Sequence, residues 1–133
     1  MSTTSNKMRW AGRVVTVVPV LFLIFDSAIK LMNIQPVQDS FRQLGYPLSI
    51  AIGIGALELA LLALYLIPRT AIFGAILWTG YLGGAVATHV RVESPLFSHI
   101  LFPLYVGLLL WLGLFLRDGR LRALVPVRME PAP

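Results

Sequence analysis

The chain has 133 residues, of which 57% are hydrophobic and only 13% charged, and its mean hydropathy is +0.79. A soluble domain carries about 25% charged residues, and a chain this small has too little interior to hide so much apolar surface from water, which excludes an ordinary soluble domain. The lack of cysteine excludes disulfides, thiolate nucleophiles and Cys-ligated zinc or iron–sulfur centres within this chain. The net charge of +5 comes from basic residues beside apolar stretches, so it reads as topology signals and contacts to anionic lipid rather than as nucleic-acid binding.

Four stretches reach the roughly 20 mostly apolar residues that a bilayer-spanning helix needs. The first runs from Val14 to Met32. A polar connection from Asn33 to Tyr46 follows, with a short interfacial helix around Val37–Leu44. The second span runs from Pro47 to Ile67, and Pro68-Arg69 turns the chain into the third, Thr70 to Val90. Arg91 to Leu96, with Pro95, leads to the fourth, Phe97 to Leu116. Residues 117–133 form a basic tail carrying Pro126, Pro131 and Pro133. Backbone polar groups cannot go unpaired in lipid, so spans of this length are helices. The expected fold is all-α: an antiparallel bundle of four transmembrane helices, with residues 1–133 as one membrane domain. Asp26 and Lys30 interrupt the apolar core of the first span, and no small-residue cleavage site follows it, so this segment reads as a retained span rather than a signal peptide.

Basic residues set orientation. Lys7, Arg9, Arg13, Arg69, Arg117, Arg120, Arg122 and Arg128 fall on one side of such a bundle, and Arg42 and Arg91 on the other. This bias places both termini in the cytoplasm, for a multi-pass protein of a bacterial-type plasma membrane. Trp10 and Trp111 then sit at or towards the inner interface.

Charges within a membrane cost about 2.5 to 3.5 kcal/mol each at a helix centre, so those that remain call for a reason. Asp26 and Lys30 are four residues apart on one face of the first span and can pair. At about 1.5 Å per residue, Lys30 lies within roughly 5 Å of the outer end of its span and Asp26 within about 10 Å, while Glu58 lies about 16 Å into the second span. His89 ends the third span, and His99 is near the outer start of the fourth. Tyr81 and Tyr105 fall at intermediate depth. The ionisable groups of four helices thus share the outer half of the bilayer and are expected to turn inward together. The predicted pocket has Asp26, Lys30 and Glu58 as its floor and His89, Arg91 and His99 nearer the rim.

Plainer roles stand beside these. Asp26 and Lys30 can be a neutralised pair that only fixes packing. His89 and His99 can be ordinary interfacial residues, and their spacing matches no metal or haem motif, so no metal site is expected. Glu58 has no cation nearby in sequence and needs a partner from another helix. Gly80-x-x-x-Gly84 and Gly83-x-x-x-Ala87 are spacings that let helices approach closely, either within the chain or as a homodimer seam through Gly80 and Gly84. Gly53 and Gly55 suit the same packing in the second span.

The sequence resembles the DoxX-like family of small four-helix membrane proteins. The resemblance rests on Lys30-Leu31, Leu44-Gly45-Tyr46-Pro47, Leu57-Glu58-Leu59, Gly84-Ala85 and Thr88-His89, in this order and spacing, and extends from the first span to Leu116. It implies a compact four-helix fold in the plasma membrane, with Lys30, Glu58 and His89 as the family's polar positions. It also implies a role beside membrane redox complexes, since the family takes its name from a subunit associated with thiosulfate:quinone oxidoreduction. Asp26 departs from the pattern, which has a small residue there.

Three functions follow as expectations. The first is a non-enzymatic membrane subunit or a binder of a quinone- or lipid-like molecule, with no cofactor evident in the chain beyond such a quinone and a membrane redox complex as partner. The second is a membrane enzyme in which Glu58 is general acid or base, assisted by Asp26, Lys30 and His89, for isomerisation, cyclisation or epoxide opening of a lipophilic substrate held by Tyr81, Arg91, His99 and Tyr105. The third is an oligomeric transporter or channel, against which the apolar inner half argues.

Overall fold

The computed structural model describes residues 4–124, and all regular structure within them is helical. The prolines of the tail and Arg128 lie outside the described residues. The first helix, α1, spans Asn6–Met32 and is longer than the apolar stretch alone predicts, because Ser5 caps it by accepting a hydrogen bond from the Met8 amide at 3.2 Å. Its basic first turns therefore project beyond the apolar segment. Asn33 ends α1 in the left-handed conformation, with φ of 52°.

The polar connection forms a helix, α2, over Gln35–Leu44. Pro36 lies in its first turn and Gly45, with φ of 79°, terminates it. Val37 and Phe41 recur one turn apart and are buried against Ala51, which holds α2 onto the start of the next span. A short 3-10 turn, Leu48–Ile50, leads into α3, Ala51–Leu66. The Thr70 hydroxyl donates to the Leu64 carbonyl at 2.7 Å and closes the turn into α4, Ala71–Arg91. A π-helical turn over Leu96–Ile100 precedes α5, Phe102–Arg117, and the short α6 covers Gly119–Leu124.

Four segments are long and apolar enough to cross a membrane: Asn6–Met32, Leu48–Leu66, Ala71–Arg91 and Leu96–Arg117. Helix α1 packs against α3 and α5, and α4 packs against the same two, so the spans form a ring with α1 and α4 on one diagonal. The protein is an all-α bundle of four membrane-spanning helices. Val14, Leu21, Phe25, Phe73, Ile76, Leu108 and Leu112 point outward and are exposed, a density of apolar surface suited to lipid.

Close backbone approach sets the ring. A Cβ on Gly74 would fall 2.5 Å from the Tyr65 backbone nitrogen, and one on Gly55 would fall 2.9 Å from the Ser27 carbonyl oxygen. Gly55 thus seats α3 against α1, as the small-residue pattern predicts. Gly53 does not: nothing lies within 4 Å of its Cβ position. Towards the end that carries both termini the interior is mainly apolar, filled by Leu61, Leu62, Trp78, Leu110 and Leu114, with Thr16 and Tyr65 buried among them.

Candidate functional site

The contact between α1 and α3 at Gly55 brings Glu58, one turn further along α3, opposite the last turns of α1. Lys30 Nζ lies 2.5 Å from Asp26 Oδ2 and 2.7 Å from Glu58 Oε1. The Glu58 side chain is 1% exposed, against 25% for Asp26. The Tyr81 phenol of α4 donates to the same Glu58 Oε1. Three helices therefore converge on one carboxylate oxygen. The other oxygen, Oε2, is buried with no hydrogen-bond partner among the described residues. A buried polar atom left unpaired is costly, so Oε2 marks a position where an additional partner would be stabilising.

A cavity of about 540 Å³ opens over this cluster. Asp26, Lys30, Glu58, Tyr81, Thr88 and His89 give it a polar side, while Phe22, Leu23, Leu57, Phe102 and Val106 give it apolar walls. Ser40, Phe41 and Leu44 of α2 line it as well. Tyr46 anchors the end of α2 to α4. The Thr88 hydroxyl donates to the Gly84 carbonyl at 2.8 Å, which leaves its oxygen to accept from the Tyr46 phenol at 2.7 Å.

Gly80 and Gly84 also line the cavity, and nothing lies within 4 Å of where a Cβ would stand on Gly80, Gly83 or Gly84. These glycines do not bring another helix of this chain close, which corrects the intramolecular reading of their spacing. What they leave is open space beside α4, part of it inside the cavity.

Of the expected site residues, Asp26, Lys30, Glu58, Tyr81 and His89 line one cavity. Arg91, His99 and Tyr105 do not. Arg91 is the last residue of α4 and is exposed. Tyr105 is 41% exposed because the neighbouring Pro103 and Val106 take the inward positions of α5. His99 reaches the site only through His89, whose ring it meets edge-on at 5.8 Å between centroids. His89 Nδ1 is 3.0 Å from Ser94 Oγ, and Ser98 Oγ is 2.7 Å from His99 Nδ1. Among the described residues no three His, Cys, Asp or Glu side chains are grouped to hold a metal. The α2 wall was not anticipated from sequence, although Val37, Phe41 and Leu44 sit at helical spacing within a polar segment.

Chemically, the cluster holds two carboxyl groups, one ammonium and one phenol at the polar end of an apolar chamber. It can hydrogen-bond the polar head of a molecule whose remainder is hydrocarbon. Fold and site together define a four-span membrane protein with an intramembrane polar cavity. The chain belongs to the DoxX-like family, which it matches over residues 14–113. No curated protein and no solved structure matches it.

Proposed function

We propose that the protein binds an amphipathic small molecule, with its polar head against Glu58, Lys30 and Tyr81 and its apolar part along Gly80, Gly84 and the walls from α1 and α5. The observation that carries this reading is Glu58 Oε2, which is buried and unpaired at a cavity of about 540 Å³. A structural ion pair alone would need neither the chamber nor the spare oxygen. Quinones and quinols have such a head and tail, and the family resemblance supports a place beside a membrane redox complex. The apolar packing of Leu61, Leu62, Trp78 and Leu110 beyond Glu58 supports binding over transport.

An enzymatic role is the second reading, favoured by one arrangement: Lys30 and Tyr81 both donate to Glu58, so a carboxylate stands beside two donors able to stabilise negative charge in a bound substrate. Native mass spectrometry of detergent-purified protein tests the binding reading. A specific molecule retained by wild type and lost from Glu58→Gln and Gly84→Leu supports it. Retention of bulk lipid only, in all three proteins, removes it. If a molecule is found, its conversion by wild type but not by Glu58→Gln favours the enzyme.

A further inference from the structure

The opposite end of the bundle carries a second cavity, of about 620 Å³, built on different chemistry. Helices α1 and α5 run antiparallel and meet where Gly12 faces Gly113; a Cβ on Gly12 would fall 2.8 Å from the Gly113 carbonyl oxygen. Arg9 lies one turn before Gly12 and Arg117 one turn after Gly113, so the close approach sends both arginines into the same cavity. Arg120 joins them there.

Arg117 is anchored. Its Nε donates to the Gly113 carbonyl at 3.1 Å, one terminal nitrogen donates to the Tyr65 hydroxyl at 3.3 Å, and the guanidinium lies 5.6 Å from the Tyr65 ring centroid. The Tyr65 hydroxyl in turn donates to the Leu110 carbonyl at 2.5 Å. Arg122 is spent elsewhere, on the carbonyls of Phe115 and Leu116 and the hydroxyl of Thr4. A guanidinium offers five N–H donors, so Arg117 keeps several for an occupant. Among the described residues the Arg9 side chain makes no hydrogen bond or ion pair, and the Arg120 side chain makes only a pair with Asp118 at 3.6 Å, in which the guanidinium stays exposed. Asp118 is the one acid in the lining and already accepts from the Arg120 backbone N–H at 2.9 Å. Three guanidinium groups thus face one engaged carboxylate. Like charges gathered this way repel unless an anion lies among them, and guanidinium matches phosphate oxygens in geometry as well as charge. Leu66 and Leu114 continue the same cavity as apolar wall, and the neighbouring Trp10 is 64% exposed, a residue suited to the interfacial layer.

We propose that Arg9, Arg117 and Arg120 form a binding site for a phosphate group at the end of the bundle that carries the termini. That chemistry is shared by the headgroup of an anionic lipid and by a free phosphorylated solute. The site is separate from the Glu58 cavity and does not depend on its occupant.

The test uses the full chain in uncharged detergent, given phosphatidylglycerol, phosphatidylcholine or inorganic phosphate at matched ionic strength. Native mass spectrometry reads lipid retention and thermal unfolding reads stabilisation. Wild type is compared with the double variant Arg9→Gln/Arg120→Gln, which leaves the anchored Arg117 in place. Selective retention of phosphatidylglycerol, weakened roughly thirtyfold in the variant, supports the site with lipid as its source. Stabilisation by inorganic phosphate equal to that by phosphatidylglycerol, and lost in the variant, supports it with a soluble source. Equal retention of the two lipids by wild type together with no stabilisation by inorganic phosphate overturns it, as does a folded variant that holds phosphatidylglycerol and responds to inorganic phosphate as wild type does. If the variant does not fold, wild type decides alone: binding through charge weakens as salt rises, and retention indifferent to salt overturns the proposal.

Discussion

Lys30 Nζ stands 2.7 Å from Glu58 Oε1, joining α1 to α3 across 28 residues of sequence inside an apolar bundle. Removing one member of a buried pair leaves the other charged and unsatisfied, at a cost of about 3–5 kcal/mol, whereas removing both costs much less. Lys30→Met is therefore expected to lower stability by an amount in that range. In the Glu58→Gln background the same change is expected to cost less, the remainder being the loss of the Asp26 partner, which is 25% exposed. Unfolding midpoints of the two single variants and the double variant supply the coupling energy. A Lys30→Met cost that is equal in both backgrounds would refute a stabilising pair.

Two glycines of α4 predict opposite responses to the same substitution. A methyl group on Gly74 meets the Tyr65 backbone at 2.5 Å, while one on Gly84 meets nothing within 4 Å. Gly74→Ala must push α3 and α4 apart, an overpacking cost of about 1–3 kcal/mol. Gly84→Ala keeps its packing and gains helix propensity, for a change between about zero and 1 kcal/mol in favour of folding. Thermal midpoints in detergent separate the two, and equal destabilisation would contradict the described packing of α4.

This contrast also marks the limit of what the sequence shows. Apolar length alone identifies all four spans, because hydrogen bonding in lipid leaves helix as the only solution for such segments. The convergence of Asp26, Lys30 and Glu58 is legible too, since their depths along antiparallel helices coincide. Side-chain direction is not. Tyr81 and Tyr105 lie at similar depth, yet Tyr81 donates to Glu58 and Tyr105 faces outward. The spacing of Gly74, Gly80 and Gly84 does not reveal that only Gly74 of the three touches another backbone, because that depends on where α3 crosses. The tilt that lays α2 over the cavity rests on Val37 and Phe41 meeting Ala51, a contact between segments that no local pattern encodes.

Tyr46→Phe isolates the tie between the α2 connection and α4. The variant loses the hydrogen bond to Thr88 and keeps the ring contact with Phe41, at 6.2 Å between centroids. A single hydrogen bond is worth about 0.5–1.5 kcal/mol, so global stability is expected to fall little. Local opening is expected to rise instead, read as faster amide exchange across residues 35–44 with the four spans unchanged. Unaltered exchange in α2 would show that Val37 and Phe41 alone hold it in place.

Topology is testable because the chain has no cysteine to remove. The distribution of basic residues predicts that the α3–α4 turn lies with both termini in the cytoplasm and the Glu58 cavity towards the outer face. Single substitutions Arg69→Cys and Ser98→Cys put thiols at exposed positions at opposite ends of the bundle. Losing Arg69 leaves seven basic residues against two, a bias that still sets orientation. In intact cells an impermeant maleimide is expected to label Ser98→Cys and to reach Arg69→Cys only after permeabilisation. The reverse pattern would invert the chain. It would then turn the mouth above Lys30 and Glu58 towards the cytoplasm, where an occupant would arrive from metabolism inside the cell, and would set the arginine cluster of Arg9, Arg117 and Arg120 against the outer leaflet.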